Sequence, residues 1–120
     1  MYFTFQKSGD DFVFTDICPE LLDSILQKRD DLIGKTVDTA SYIGDNITRK
    51  KLKQLYTLAW HQKRVVFYYF PDKNPNIFII TYLESQKYNN QVREVKGRCM
   101  TISKADLEFP LQHVHQFLFF

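Results

Sequence analysis

The sequence predicts an α+β domain in which helices cover one face of a five-stranded antiparallel sheet. Apolar residues alternate with polar ones near the amino terminus and again beyond residue 64, which is the period of a strand. Between these stretches they recur every three or four residues, which is the period of a helix. Short turn sequences separate the strand-like stretches and favour antiparallel neighbours. The predicted order along the chain is two strands, helices and three strands.

The first two strands form a predicted hairpin. Phe3 and Phe5 alternate with polar residues, and residues 8–11 read Ser-Gly-Asp-Asp, which is typical of a turn. An apolar stretch at residues 12–14 then resumes a strand.

Two helices are predicted in the middle of the chain. Pro19 and Glu20 suit a helical first turn. The apolar stripe that follows consists of Leu21, Leu22, Ile25 and Leu26. Residues 30–46 are expected to form a loop, and a longer helix is predicted from about Ile47 to Gln62. Its buried face consists of Leu52, Leu55, Tyr56 and Ala59.

The last three predicted strands are separated by turn residues. They are Arg64 to Phe70, Ile77 to Glu84 and Gln91 to Ser103. The first separator is the Pro-Asp-Lys-Asn-Pro sequence of residues 71–75, and the second is Asn89-Asn90.

Composition excludes several classes of protein. A chain of 120 residues suits one domain, and its net charge of +2 comes from interspersed charges, so we expect no nucleic-acid partner. Two cysteines without a Cys-x-x-Cys spacing encode neither a disulfide framework nor a four-cysteine zinc site. No signal peptide pattern and no apolar run of roughly 18 to 20 residues is present, so we expect a cytoplasmic protein without a membrane partner.

Several short motifs follow one another in a recognisable order. Residues 32–36 read Leu-Ile-Gly-Lys-Thr, and Tyr56 precedes the Ala-Trp pair of residues 59–60. Residues 92–97 read Val-Arg-Glu-Val-Lys-Gly and run into the Thr-Ile-Ser of residues 101–103. Together these motifs resemble a PAS domain, and they are similar to bacterial sensory modules attached to histidine kinases and diguanylate cyclases.

The resemblance covers roughly residues 2–103. It implies a five-stranded antiparallel sheet flanked by helices, a central pocket for a small ligand, and a role in signal transduction without catalysis. We therefore expect a sensory domain at residues 1–103 and a separate carboxy-terminal tail at residues 104–120.

The space between sheet and helices is expected to be either a packed core or a pocket for a small apolar ligand. The residues expected to line it are Phe14, Ile25, Leu55, Tyr56, Ala59, Phe67, Ile80, Tyr82, Val95, Gly97 and Cys99. Cys99 points inward because it shares one strand face with Val95 and Gly97. Gly97 would permit the close approach of a ligand, or equally of Trp60 or Tyr56.

No cofactor or metal is predicted. A photoactive flavin needs a reactive cysteine in the helical middle, and residues 30–60 contain none. Haem needs an axial ligand, but His61 lies at the end of the long helix, where a surface position is expected. His113 and His115 would share one side of a strand, yet no acidic or cysteine ligand nearby completes a metal site.

The alternative function is a small cone-shaped α+β lyase or isomerase that uses a pocket carboxylate. Asp16, Asp38 and Glu84 are the candidates, but their spacing selects no catalytic pair, and surface or capping roles are expected. Such enzymes generally begin with helices, whereas this chain begins with predicted strands.

The tail carries apolar residues at the spacing of a helical seam. They are Leu107, Leu111, Val114 and Leu118. The tail either packs back on its own sheet or provides a homodimer contact or the beginning of an output linker. The leading hypothesis is a non-catalytic sensory module that binds a small ligand or a signalling protein partner and dimerises through its sheet or tail.

Overall fold

The fold is known from a computed structural model that describes residues 1–106 and the backbone of residues 117–119. The strands are β1 (Tyr2–Ser8), β2 (Asp11–Ile17), β3 (Val65–Tyr69), β4 (Ile77–Tyr88), β5 (Gln91–Ser103) and β6 (Phe117–Phe119). The helices are α1 (Pro19–Ile25) and α2 (Asn46–Trp60), with single 3₁₀ turns at Arg29–Asp31 and Lys104–Asp106.

The strands form one antiparallel sheet in the order β2-β1-β5-β4-β3-β6. The amino-terminal hairpin joins the later strands through β1 and β5, where Phe3 lies opposite Gly97 and Phe5 opposite Val95. The predicted α+β class and the five antiparallel strands are confirmed.

The predicted chain order is wrong in one respect. It ended after the three strands that follow the helices, whereas the chain forms one more strand, β6. Its backbone pairs with β3, with Val65 opposite Phe119 and Phe67 opposite Phe117. β3 would otherwise present unpaired backbone groups at the edge of the sheet, and β6 occupies that edge. Leu118 therefore lies in a strand and does not continue a helical seam.

Local chemistry sets the ends of both helices. The Asp45 carboxylate accepts a hydrogen bond from the Thr48 backbone N–H at 2.8 Å and so caps α2. α1 ends where Leu26 adopts a left-handed conformation with φ of 57°. Leu26 is 56% exposed, so its predicted place on the buried stripe is wrong: the chain leaves the helix before that turn is complete.

Aromatic rings fasten α2 to the hairpin. The Tyr56 ring stacks on Phe5 with centroids 4.1 Å apart, and Phe12 and Phe14 meet it edge-on. All four side chains are buried. α2 also contacts β3, β4 and β5, so it lies across the inner face of the sheet.

The loop between α1 and α2 is held by one side chain of α2. The Arg49 guanidinium donates hydrogen bonds to the carbonyl oxygens of Val37, Ala40 and Gly44. Val37 and Ala40 are almost fully buried, so this loop forms part of the core. Within the described residues, no helix is both long enough and apolar enough to cross a membrane.

Candidate functional site

A cavity lies between the inner face of the sheet, the two helices and the loop that joins them. Its volume is about 70 Å³, and it is partly open to solvent. The residues that line it are Phe3, Phe14, Ile17, Leu21, Ile25, Gln27, Leu32, Ile43, Leu52, Tyr56, Phe67, Tyr69, Pro71, Ile79, Thr81 and Cys99. None of these described lining residues is charged, so the cavity is apolar and electrically neutral.

The floor of the cavity carries two small polar side chains. Thr81 of β4 and Cys99 of β5 face one another across the sheet, and Thr81 Oγ1 lies 3.6 Å from Cys99 Sγ. Burial raises the pKa of the Cys99 thiol to about 11, and the hydrogen bond with Thr81 acts weakly in the opposite direction. The thiol therefore stays protonated at neutral pH.

Two tyrosines border the same space. Burial raises the pKa of Tyr56 well above its usual range, with smaller contributions from Tyr69 and Cys99. Burial likewise raises the pKa of Tyr69, whose hydroxyl donates a hydrogen bond to the Ile43 carbonyl oxygen. Both phenols are neutral, as the uncharged cavity requires.

Three chain segments are fastened together around the cavity. The Asn74 side-chain amide donates to the Ser24 carbonyl oxygen at 2.8 Å and joins the β3–β4 loop to α1. The Lys73 ammonium lies 3.9 Å from the centre of the Tyr42 ring, which joins the same loop to the α1–α2 loop. The cavity is therefore bounded by loops as well as by regular elements.

Five residues that the sequence predicted to line the pocket do line the cavity. They are Phe14, Ile25, Tyr56, Phe67 and Cys99.

The prediction is wrong for four residues that lie on the inner side. Three of them lie in the packed core and do not line the cavity: Leu55, Ala59 and Val95. At Gly97 the free space is occupied by the ring of Phe3, and not by a ligand, Trp60 or Tyr56. Period alone gives the direction of a side chain and cannot distinguish packed core from the wall of a cavity.

The prediction is also wrong for Ile80 and Tyr82, which lie on the outer face of the sheet. In β4 the buried inner positions are Ile79, Thr81 and Leu83, whereas Ile80 and Tyr82 are half-buried. Both faces of this strand carry apolar residues, which hides the alternation. The charge of Glu84 could have identified the outer face, because Glu84 shares that face with Ile80 and Tyr82.

Eleven lining residues were not predicted. Those on regular elements, such as Phe3 and Ile79, follow the apolar period and could have been found from it. Gln27, Leu32, Ile43 and others lie in loops, where no period indicates which side chain turns inward.

The three carboxylates of the alternative enzyme hypothesis lie outside the cavity. Asp16 accepts a hydrogen bond from Arg29 at 2.9 Å, and this partner lowers the pKa of its carboxyl group. Asp38 pairs with Lys53 at 2.8 Å. Glu84 lies on the outer face of the sheet, beside the side-chain amide of Gln86.

His61 is exposed at the end of α2 and does not line the cavity. Among the residues with described side chains, no cluster of His, Cys, Asp and Glu could hold a metal ion. His113 and His115, like Leu107, Leu111 and Val114, lie outside the described residues.

The outer face of the sheet carries a second apolar surface, called here the outer patch. It consists of Val66, Tyr68, Phe70, Phe78, Ile80, Tyr82, Met100 and Ile102. The Tyr68 and Phe78 rings meet edge-on at 6.2 Å; Phe78 is buried, whereas Met100 is 57% exposed.

Comparison with known proteins adds no assignment to this geometry. No family model matches the chain, and no curated protein matches it significantly.

Proposed function

We propose that this chain is a PAS-like sensory module that binds a small neutral ligand in its cavity and catalyses no reaction. The observation that carries the proposal is the cavity itself: a neutral, apolar space at the junction of sheet and helices, with a few polar groups on its walls. The order of strands and helices is compatible with the fold that the sequence resemblance implies.

The energetics of packing support a functional reason for the cavity. Well-packed interiors contain few voids larger than a water molecule. If it were fully enclosed and empty, a space of about 70 Å³ would cost on the order of 1.7 kcal/mol, at about 24 cal/mol per Å³; this cavity is partly open to solvent, so its cost is smaller. The chain fills much of its core with large aromatic rings, yet leaves this space beside Thr81 and Cys99 open. A ligand that enters it recovers that lost contact energy.

Native mass spectrometry of the purified chain tests the proposal. We expect an additional mass that disappears on denaturation, and we expect it to be absent from a Cys99→Leu variant, whose larger side chain fills the cavity. The matched control is Arg93→Leu, at an exposed position of the same strand outside the cavity lining. A bare chain that also gains no thermal stability from small neutral aromatic compounds would refute ligand binding.

The enzyme alternative has no support at the cavity. A general acid or base must reach the substrate, and the candidates Asp16, Asp38 and Glu84 lie elsewhere.

The second part of the proposal is a homodimer formed through the outer patch. An apolar patch is complementary to a copy of itself in a two-fold interface. Two cations border the outer patch: Arg98 lies opposite Tyr82, and the Lys104 ammonium lies over the Phe70 ring. Sedimentation or light scattering should give a dimer mass that falls to the monomer mass in Met100→Lys. The same change at Tyr88, which is 70% exposed at the tip of the β4–β5 hairpin, should leave the mass unchanged. A monomer mass for the unaltered chain at high concentration would contradict this interface. A signalling protein partner and a cytoplasmic location stay predictions.

A further inference from the structure

We propose that the cavity selects a neutral ligand the size of one aromatic ring that carries an O–H or N–H group, and that this group donates a hydrogen bond to Gln27. The inference rests on the proposed ligand-binding function and specifies the chemistry of the ligand. It follows from the size of the cavity, from its charge and from one unpaired polar atom.

The size of the cavity sets the size of the ligand. A closed protein cavity of about 150 Å³ binds benzene. The space here, about 70 Å³, is smaller but partly open to solvent, so one six-membered ring is the largest ligand it suits, with part of that ring in the opening. The rings of Phe14, Tyr56 and Phe67 already border the space and offer surfaces for stacking or edge contacts.

The electrostatics of the lining exclude ions. No Lys, Arg, His, Asp or Glu is among the described lining residues, so a buried carboxylate or ammonium group would find no opposite charge. The polar residues present are neutral, and the tyrosines Tyr56 and Tyr69 are held in the protonated state by burial. The ligand is therefore uncharged.

Gln27 supplies a buried acceptor that needs a partner. Its side-chain oxygen, Oε1, is buried and has no hydrogen-bond partner among the described residues. Leaving such an acceptor unpaired costs about 1–3 kcal/mol. The backbone N–H of Gln27 binds the Leu22 carbonyl oxygen at 3.1 Å and fixes the start of the side chain, while no described hydrogen bond holds the carboxamide. Because Gln27 lines the cavity, a rotation of its carboxamide would bring Oε1 to a donor there.

The other polar groups of the lining have less need of a ligand. The Thr81 hydroxyl already faces the Cys99 thiol at 3.6 Å. The Tyr69 hydroxyl already donates to the Ile43 carbonyl oxygen. The Tyr56 hydroxyl has no described hydrogen bond either, but it can both donate and accept, whereas Gln27 Oε1 can only accept; Gln27 therefore gives the site its preference for donors.

Calorimetric titration with phenol, toluene and benzoate tests this preference. Phenol and toluene have nearly the same shape, and only phenol has a donor. We expect the ratio of the phenol to the toluene association constant to fall about tenfold in Gln27→Met, which corresponds to about 1.4 kcal/mol. Gln27→Leu is the second variant, and Gln54→Met, at an exposed site on α2, is the matched control. Benzoate should not bind.

The outcomes separate the two proposals. If neither phenol nor toluene binds, or if both bind equally well to Cys99→Leu, the cavity is not a ligand site and the proposed function fails. If both bind and the ratio is the same in the unaltered chain, Gln27→Met and Gln27→Leu, the cavity binds ligands but the role of Gln27 is wrong. Binding of benzoate as tightly as phenol would overturn the assignment of a neutral ligand.

Discussion

Gly97→Ala should destabilise the protein and close the cavity at the same time. A Cβ atom at position 97 would lie 2.6 Å from Phe3 Cζ and 2.9 Å from Phe3 Cδ1, whereas carbon atoms normally approach to about 3.5–4.0 Å. The Phe3 ring must therefore move by about 1 Å. It is surrounded by the rings of Phe5, Phe14 and Tyr56, so the open direction leads into the cavity that Phe3 lines.

The expected cost follows from two opposing effects. Overpacking a core typically costs about 1–3 kcal/mol. Replacing glycine reduces the entropy of the unfolded chain and recovers about 0.4–1 kcal/mol. We expect a net loss of about 1–2 kcal/mol in the free energy of unfolding, together with a loss of phenol binding.

Urea unfolding followed by circular dichroism measures this effect, and the Phe3→Leu background isolates its cause. In that background the ring is absent, so Gly97→Ala should cost less than about 0.5 kcal/mol. The reasoning is refuted if Gly97→Ala is as stable as the unaltered chain, or if it costs the same with and without the Phe3 ring.

Three further outcomes are expected. Cys99→Leu should raise the unfolding free energy by up to about 1 kcal/mol, because it fills part of a space that would cost about 1.7 kcal/mol if it were fully enclosed and empty; a less stable variant in urea unfolding would contradict this. Leu26→Gly should raise the melting temperature by about 4 °C, because glycine relieves the strain of the left-handed conformation. Leu26→Ala, which keeps that strain, should show no such gain, and an equal rise in both would show that strain is not the cause. Because the pKa of Cys99 is raised from 9.0 to about 11, its alkylation at pH 8 should be about a hundredfold slower than that of a free cysteine. Its rate, followed by peptide mass spectrometry, should rise about tenfold per pH unit, and a rate that levels off near pH 9 would contradict the raised pKa.

The raised pKa of the Cys99 thiol also determines how the stability of the fold changes with pH. A thiol whose pKa is higher in the folded state than in the unfolded state favours folding below about pH 9, where it is protonated in both states. This contribution is lost as the pH rises from about 9 to about 11. Tyr56 and Tyr69 act in the same direction at higher pH, since burial raises the pKa of both.

Period and turn chemistry were sufficient to predict five of the six strands and both helices. Asn89 and Asn90, for example, both adopt positive φ and form the predicted turn between β4 and β5. Local sequence also placed Cys99 on the inner face, because charged residues alternate with it along β5.

The cavity was harder to predict, for two physical reasons. Loop residues such as Ile43 are placed by long-range contacts, here by the Tyr69 hydroxyl, and these leave no local pattern. Whether a glycine leaves open space depends on its neighbour across the sheet, and at Gly97 that neighbour is Phe3, which is distant in the sequence. Ile80 was misplaced because its strand is apolar on both faces.

Two-dimensional NMR spectra of the ¹⁵N-labelled chain, titrated with phenol, test the central claim most directly. The account predicts saturable shifts in the backbone amides of Gln27, Thr81 and Cys99, and it predicts that Cys99→Leu abolishes them. Shifts confined to the outer patch or to the hairpin around Tyr88, or no saturable shift at all, would contradict the assignment of the cavity as the ligand site.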